Sequence, residues 1–429
     1  MLFAETAHAD VVAHDVTGLD ELEHALGAGL LWVARDAAGA PVGFALVELL
    51  DEPHLEEIDV DPAHGRRGLG RALLAVVLAW ARGAGHAGIT LTTFRDVAWN
   101  APFYARLGFR ALGPGEIRPG LAATMREETA RGLDPARRVA MRLDLRLAEL
   151  RREYAEKIAT LAGLRSPRLR EALASVPREA FVGPGPWQLL CVAEGARGYQ
   201  RTPDADPRHL YDNVLVALDA SRQLNNGEPA TLLRWLDALE LAPGECFAHV
   251  GCGTGYYTAL AAHALAPGEV LGVEVDAALA ERARANLAPW PSARVVAGDG
   301  SDLAGGPCDA ILVNAGATEP LAAWLDALRP NGRLLVPLTV GLPQPGLGAG
   351  HMLLVVRRPR SFAARFVSPV GIFHCAGART EAGAERLRRA FSRGGPERVR
   401  SLRREAHPES AGCWLHAERF CLSCEATPE

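Results

Sequence analysis

The sequence predicts an α/β protein with two sheets: a mixed sheet flanked by helices in the N-terminal part, then a doubly wound parallel sheet. Three observations carry this. The chain has 429 residues, more than one hydrophobic core usually serves. Strands alternate with helical stretches in two separate series, with a long helical segment between them. The second series opens with a strand that runs into a glycine-rich turn and a helix, the start expected of a parallel sheet. The boundaries that follow are 1–146 for the first domain, 147–165 for a helical linker, 166–350 for the second domain and 351–429 for a C-terminal accessory region.

In the first series, strands are expected over 30–36, 41–49 and 55–60, a helix over 68–83, a strand over 89–93, a helix over 98–107 and a closing strand over 138–144. The linker helix carries Leu147, Leu150, Tyr154 and Ile158 as one apolar stripe. After it come a helix over 167–176 and a long, poorly periodic stretch over 181–226, rich in Gly, Pro and Asp. Such a stretch inside a compact domain is usually functional. Strands then fall at 246–250, 270–275, 294–297, 310–314 and 333–338. Less regular strands follow at 351–357 and 366–372, and a helix at 385–392.

Composition narrows the function classes. With 48% hydrophobic and 23% charged residues the chain can build ordinary cores. Met1 to Asp10 lacks the basic start and apolar run of a signal peptide. Apolar runs such as Ala72–Trp80 fall short of the roughly 20 residues that span a bilayer, so no membrane partner is expected. A net charge of −5 gives no basic field for nucleic acid. Eight irregularly spaced cysteines read as reduced thiols in a cytoplasmic protein. Cys413, His416, Cys421 and Cys424 are metal-ligand types, but they crowd against the C-terminal tail with no second knuckle elsewhere, so no metal site is assigned.

The strand Cys246–Val250 leads into Gly251-Cys252-Gly253-Thr254-Gly255, with a helix from Tyr256. Glycines there let a nucleoside approach the backbone closely. A dinucleotide fingerprint would place its third glycine where this chain has Tyr256, which makes nicotinamide or flavin binding the lesser reading. The Gly251, Gly253, Gly255 pattern is the one used for S-adenosylmethionine. Glu274, ending the next strand, suits a carboxylate that accepts from both ribose hydroxyls. Asp299, in Gly298-Asp299-Gly300, suits one that receives the adenine amino group, with Gly300 beside it.

Together with Val176-Pro177-Arg178-Glu179-Ala180-Phe181-Val182 and Asn331-Gly332-Arg333-Leu334-Leu335-Val336-Pro337, these motifs resemble the protein-L-isoaspartate O-methyltransferase family over roughly residues 166 to 340. The resemblance implies a Rossmann-like sheet, S-adenosylmethionine as cofactor, and a protein or peptide substrate that offers a carboxylate. An ionised carboxylate needs in-line positioning and exclusion of water more than a base. The family's Thr-Ile-Ser-x-Pro-like substrate segment matches Asn225-Asn226-Gly227-Glu228-Pro229, with Gly227 where the serine stands. Asn226 is therefore the candidate for holding the acceptor, a serine at 227 is expected to be accommodated, and a peptide natural product is an alternative acceptor. His249 stands where an acidic residue often precedes the glycine turn.

In the first domain, a strand ending Ile58-Asp59-Val60-Asp61-Pro62 leads into Gly65-Arg66-Arg67-Gly68-Leu69-Gly70-Arg71 and an apolar helix, a site for a pyrophosphate. Asn100-Ala101-Pro102-Phe103-Tyr104-Ala105-Arg106-Leu107-Gly108-Phe109 follows. These stretches resemble the GNAT acetyltransferase superfamily across about residues 15 to 146. The resemblance implies acetyl-CoA bound at Val60, Arg66, Arg67, Gly68 and Gly70, with Asn100 on the cofactor arm. It further implies Tyr104 as the acid for the departing thiolate, Glu57 or its neighbour Glu56 as the base, and an amine acceptor. The alternative is a domain that binds acyl-CoA as a sensor.

Overall fold

The computed structural model describes residues 17–97, 99–191, 198–303 and 306–426. The expectation for Met1 to Asp10 and the expected helix start at Ala98 lie outside those residues. The chain divides into two compact units, Met1–Arg151 and Arg152–Glu429.

The first unit contains α1 (Leu19–Gly27), β1 (Leu31–Arg35), β2 (Pro41–Leu49), β3 (Pro53–Val60), α2 (Leu69–Gly83), β4 (Gly88–Phe94), α3 (Ala101–Arg106), β5 (Arg110–Ala111), α4 (Pro119–Ala130) and β6 (Arg138–Asp144). Its sheet runs β1-β2-β3-β4-β6-β5. In α2 the apolar Leu73, Leu74, Val77 and Ala81 recur at helical spacing and are buried, packing the helix onto β1, β2 and β3. Parallel β3 and β4 pair only at His54/Thr90 and Leu55/Leu91, after which they separate. Beyond that point β3 is paired only on its β2 side, so the stretch from Glu56 to Val60 borders an open wedge. Sequence periodicity did not mark α4, in which Leu121 is the buried residue; Arg138 pairs with its Glu128.

Helix α5 (Leu145–Ala162) follows β6 directly, and the division between the units falls inside it. The helical linker expected over 147–165 is thus a helix that ends at Ala162. Tyr154 and Ile158 are buried, and Tyr154 meets Tyr211 edge-on at 5.4 Å within the second unit.

That unit continues with α6 (Pro167–Ser175), a small antiparallel sheet, and the large sheet. The small sheet orders β7 (Gln188–Leu190), β8 (Gln200–Arg201), β9 (Leu215–Asp219) and β10 (Leu224–Asn225) as β10-β9-β7-β8, inside the stretch expected to be irregular. Helix α7 (Pro229–Ala238) then leads to β11 (Cys246–Val250), α8 (Tyr256–Leu265), β12 (Glu269–Glu274), α9 (Ala277–Asn286), β13 (Ala293–Ala297), β14 (Cys308–Val313), α10 (Ala322–Asp326), β15 (Leu328–Gly341), β16 (Leu347–Arg357), β17 (Phe362–Phe373), α11 (Glu381–Ser392), β18 (Ser401–Arg403), β19 (Cys413–His416) and β20 (Cys421–Ser423).

The large sheet is ordered β13-β12-β11-β14-β15-β16-β17-β18-β20-β19. Strands β11 to β15 are parallel, and β14 crosses back to the far side of β11, so the order reverses between β11 and β14. Ligands of open α/β sheets bind outside the carboxyl ends of the strands at such a reversal. From β15 onward the sheet is antiparallel. The expected break at residue 350 is absent, because β16 pairs with β15 and β17 along its length and Leu353, Val355, Leu387, Leu402 and Leu422 join one core with Ile311 and Leu334. Region 351–429 is thus part of the sheet.

Candidate functional site

In the second unit the glycine turn follows β11 at the order reversal. Gly251, Gly253 and Gly255 have φ of 76°, 57° and 93°, conformations that side chains rarely adopt. A Cβ on Gly251 would stand 3.2 Å from the carbonyl oxygen of Asn314, at the end of β14. The Asn314 amide itself donates to the Gly251 carbonyl at 3.4 Å, a contact that the sequence reading missed because nothing local marks Asn314. Glu274 is buried, and its two carboxylate oxygens accept from the Gly253 N–H at 2.7 Å and the Asp276 N–H at 3.1 Å. The carboxylate is held rigidly against the turn, with lone pairs left over for a ligand.

Asp299 lies beyond β13, exposed, with one oxygen accepting from the Ser301 N–H at 2.9 Å. Its other oxygen faces Gly377, where a Cβ would come within 2.2 Å. The segment after β17 therefore borders the expected adenine position. Cys375 N–H donates to Gly316 at 2.9 Å and Arg379 donates to the Gly316 carbonyl at 2.8 Å, which ties this segment to the loop after β14. Gly300 turns out to be a packing position: a Cβ would collide with Val250, and its carbonyl accepts from the Trp324 indole at 2.7 Å. The three glycines, the oriented Glu274 and the exposed Asp299 fit a nucleoside cofactor of the S-adenosylmethionine type.

The segment facing this turn is held from beneath by Arg178. Its fully buried guanidinium donates to the carbonyls of Leu210 at 2.6 Å, Asp212 at 3.0 Å and Val214 at 2.6 Å, and to the Asn226 side-chain oxygen at 3.4 Å. That oxygen also accepts from the Val216 N–H at 3.2 Å. Asn226, the candidate for holding the acceptor, is only 9% exposed: its carbonyl end belongs to the fold, and its buried amide nitrogen has no partner among the described residues. Asn225 is the more open amide; it donates to the Tyr199 hydroxyl at 3.3 Å, and its oxygen closes a turn onto Gly227 N–H at 2.9 Å.

Gly227 has φ of 81°, and a Cβ there would sit 2.9 Å from Leu232 and 3.3 Å from Tyr257. The expectation that a serine fits is overturned by that geometry. His249 is fully buried, bonded through Nδ1 to Thr258 at 2.9 Å, and burial holds its pKa down to about 4. It is a neutral core residue rather than a cofactor contact.

In the first unit the loop after β3 is shaped by Asp61, which accepts from the Ala63 N–H at 2.8 Å, and by Gly68, which starts α2 at φ 82°. Arg66 and Arg67 are exposed beside it, and a Cβ on Gly70 would stand 3.8 Å from the Val60 side chain. Asn100 precedes α3 without a side-chain bond to the helix. Tyr104 is buried edge-on against Phe103 and Phe109, and burial together with the charge of Asp59 pushes its hydroxyl well above the usual range, keeping it protonated. Glu57 bonds to Thr17 and Asp59, and desolvation raises its pKa. Glu56 falls at the register shift between β2 and β3, where Leu46 pairs with Glu57 and Val47 with Leu55, and it has other charged neighbours than Glu57. Burial and then Glu48 and Glu128 raise its pKa to about 7. Asp59, whose charge acts on both Tyr104 and Glu57, stands in the quoted motif but was not singled out there.

A cavity of about 580 Å³ in this unit lies around Thr90, where β3 and β4 still pair, rather than at their wedge. Its charged walls are already matched, Arg142 with Glu52 at 2.7 Å and Arg110 with Glu116 at 2.6 Å.

Comparison with known proteins matches the two parts of the chain to two families. Residues 203–345 match the family profile of protein-L-isoaspartate(D-aspartate) O-methyltransferase, and residues 4–109 match that of the acetyltransferase (GNAT) family. A protein-L-isoaspartate O-methyltransferase of Methylorubrum extorquens is 31% identical over 227 residues, 52% of this chain and 86% of the relative. Its counterpart in Methylorubrum populi is 35% identical over 214 residues, 48% of this chain and 86% of the relative. A solved GNAT-family acetyltransferase of Staphylococcus aureus covers 30% of this chain and 75% of its own at 24% identity, with a TM-score of 0.25. The chain, by its match to most of the length of these relatives, belongs to the protein-L-isoaspartate O-methyltransferase family and carries a GNAT-family domain ahead of the methyltransferase.

Proposed function

We propose that the second unit transfers a methyl group from S-adenosylmethionine to a carboxylate on a protein or peptide. The observation that carries this is Glu274, buried and aimed by the Gly253 amide at the order reversal of the sheet, which suits a ribose. When bound, the cofactor supplies the electrophilic methyl group. Gly251, Gly253 and Gly255 admit it, Glu274 and Asp299 orient its nucleoside, and the 210–228 segment fixed by Arg178 closes over the acceptor. An acceptor carboxylate is already ionised at neutral pH, so the reaction requires no base.

The acceptor class is an isoaspartyl or related aspartyl carboxylate. A second reading, a peptide natural product, is favoured by Gly227, where a positive φ and the Leu232 and Tyr257 side chains disfavour a hydroxyl-bearing side chain. The first unit, on the same reasoning, acetylates a primary amine from acetyl-CoA, with Glu57 taking the proton and Tyr104 returning one to the thiolate. The compartment implied is the cytoplasm, in keeping with eight free cysteines; no described helix is long and apolar enough to cross a membrane. The test is incubation of the full chain with methyl-labelled S-adenosylmethionine and an isoaspartyl peptide beside its normal aspartyl twin. Base-labile label on the isoaspartyl peptide alone supports repair chemistry. Label on neither moves the acceptor elsewhere.

A further inference from the structure

At the C-terminal edge of the large sheet, four side chains of metal-binding type converge. His407, Cys413, His416 and Cys421 each present one ligand atom, and these atoms all lie within 4.8 Å of one another. The fold brings them together in two steps. The hairpin of β19 and β20 sets His416 directly opposite Cys421, and a register shift between Cys413 and Leu415 changes the side-chain phase, which lets Cys413 share the side of His416. The chain before the hairpin then returns His407, whose ring stands 4.8 Å from that of His416.

The hydrogen bonding around the group is what ligands require. His407 Nδ1 bonds to the Pro408 carbonyl at 2.8 Å; the carbonyl can only accept, so Nδ1 carries the proton and Nε2 keeps its lone pair. Among the described residues that Nε2 is buried without a partner, and so is Nδ1 of His416. A buried ring nitrogen left without a partner is costly, so two beside a pair of thiols need an explanation. The Ser410 N–H points at Cys413 Sγ at 3.4 Å, the kind of outer bond that steadies a thiolate ligand.

We propose that His407, Cys413, His416 and Cys421 hold one structural zinc ion. Two thiolates and two imidazoles form a closed tetrahedral set, with no position left for substrate or water. Bond lengths of about 2.3 Å to sulfur and about 2.0 Å to nitrogen put neighbouring ligand atoms roughly 3.3 to 3.8 Å apart. The observed group reaches that by closing about 1 Å, within the range of small side-chain adjustments. Binding displaces the two thiol protons to solvent. The ion ties β19 and β20 to the 404–412 stretch and so braces an edge that contributes Trp414, Leu415, Phe420 and Leu422 to the core. The sequence spacing suggested Cys424 as the fourth candidate; the structure replaces it with His407.

The test is the metal content of untagged full-length protein prepared under reducing conditions without chelator. One zinc per chain is expected, lost in Cys413→Ser and in Cys421→Ser and retained in Cys424→Ser. Because the serine variants can lose the hairpin itself, wild-type protein is also stripped of zinc and titrated with cobalt. The intense visible bands of a tetrahedral thiolate-imidazole site should appear at one equivalent and vanish on adding zinc. Wild-type protein with substoichiometric zinc and no such bands would overturn the proposal. So would zinc that survives the Cys413→Ser/Cys421→Ser double substitution, or its loss in Cys424→Ser.

Discussion

The two units solve different chemical problems, and their titratable groups differ accordingly. Around the glycine turn of the second unit the polar side chains are locked to backbone: Glu274 to Gly253 and Asp276, Arg178 to three carbonyls, Asn226 to Val216. Around the wedge of β3 and β4 in the first unit, Glu57, Glu56 and Asp59 all have raised pKa values through desolvation, and Tyr104 is held protonated. Methyl transfer to an ionised carboxylate asks for placement. Acetyl transfer from a thioester to an amine asks for two proton movements. A site can thus be told by whether its polar groups are immobilised or tuned.

The largest effect expected from breaking this contrast is at Arg178. Arg178→Met strands the carbonyls of Leu210, Asp212 and Val214, at about 1 to 3 kcal/mol for each buried group left unpaired. Methyl transfer should disappear, and denaturant unfolding of the full chain should show a destabilised second unit, with acetyl transfer retained as the control.

Tyr104→Phe should lower the turnover of acetyl transfer by about 100-fold while acetyl-CoA affinity, followed by calorimetry, stays nearly unchanged, because the hydroxyl acts only as the thiolate leaves. Full turnover in this variant would leave an acyl-CoA sensor as the better description.

Glu274→Ala removes a charged partner of the ribose and should weaken S-adenosylmethionine binding roughly 10- to 100-fold, the scale of about 1.5 to 3 kcal/mol. Asp299→Ala, at an exposed carboxylate, should cost less. Calorimetry on both variants ranks them, and equal losses would contradict the difference in burial.

The smallest effect concerns Gly227. Gly227→Ser forces a side chain into a positive φ against Leu232 and Tyr257, at a cost on the order of 1 to 3 kcal/mol. The melting temperature should fall without any gain of activity on isoaspartyl peptides.

Much of this was legible in the sequence, for identifiable reasons. The turn Gly251–Gly255, Glu274 and Asp299 are spaced by a strand and a helix of standard length, so order along the chain already implies proximity. The burial of Asn226 was not legible because an Asn-Asn-Gly run also reads as an ordinary turn, and that burial is decided by Arg178, far away in sequence. The hairpin β19–β20 was missed because its strands have only Cys413–His416 and Cys421–Ser423 to show a period. The grouping of His407 with those cysteines depends on a register shift that no local pattern announces.

The contrast between placement and proton movement is tested most directly by following both transfers in one full-chain preparation across pH. Methyl transfer should be flat from about pH 6 to 8, since a carboxylate acceptor is ionised throughout. Acetyl transfer should rise with pH, because a base whose pKa is raised loses its proton only above the ordinary carboxylate range. Glu57→Gln should remove that rise and leave methyl transfer unchanged. A methyl-transfer profile that climbs in parallel, or an acetyl-transfer rise that survives Glu57→Gln and is lost in Glu56→Gln, near that residue's pKa of about 7, would contradict the assignment of proton chemistry to Glu57.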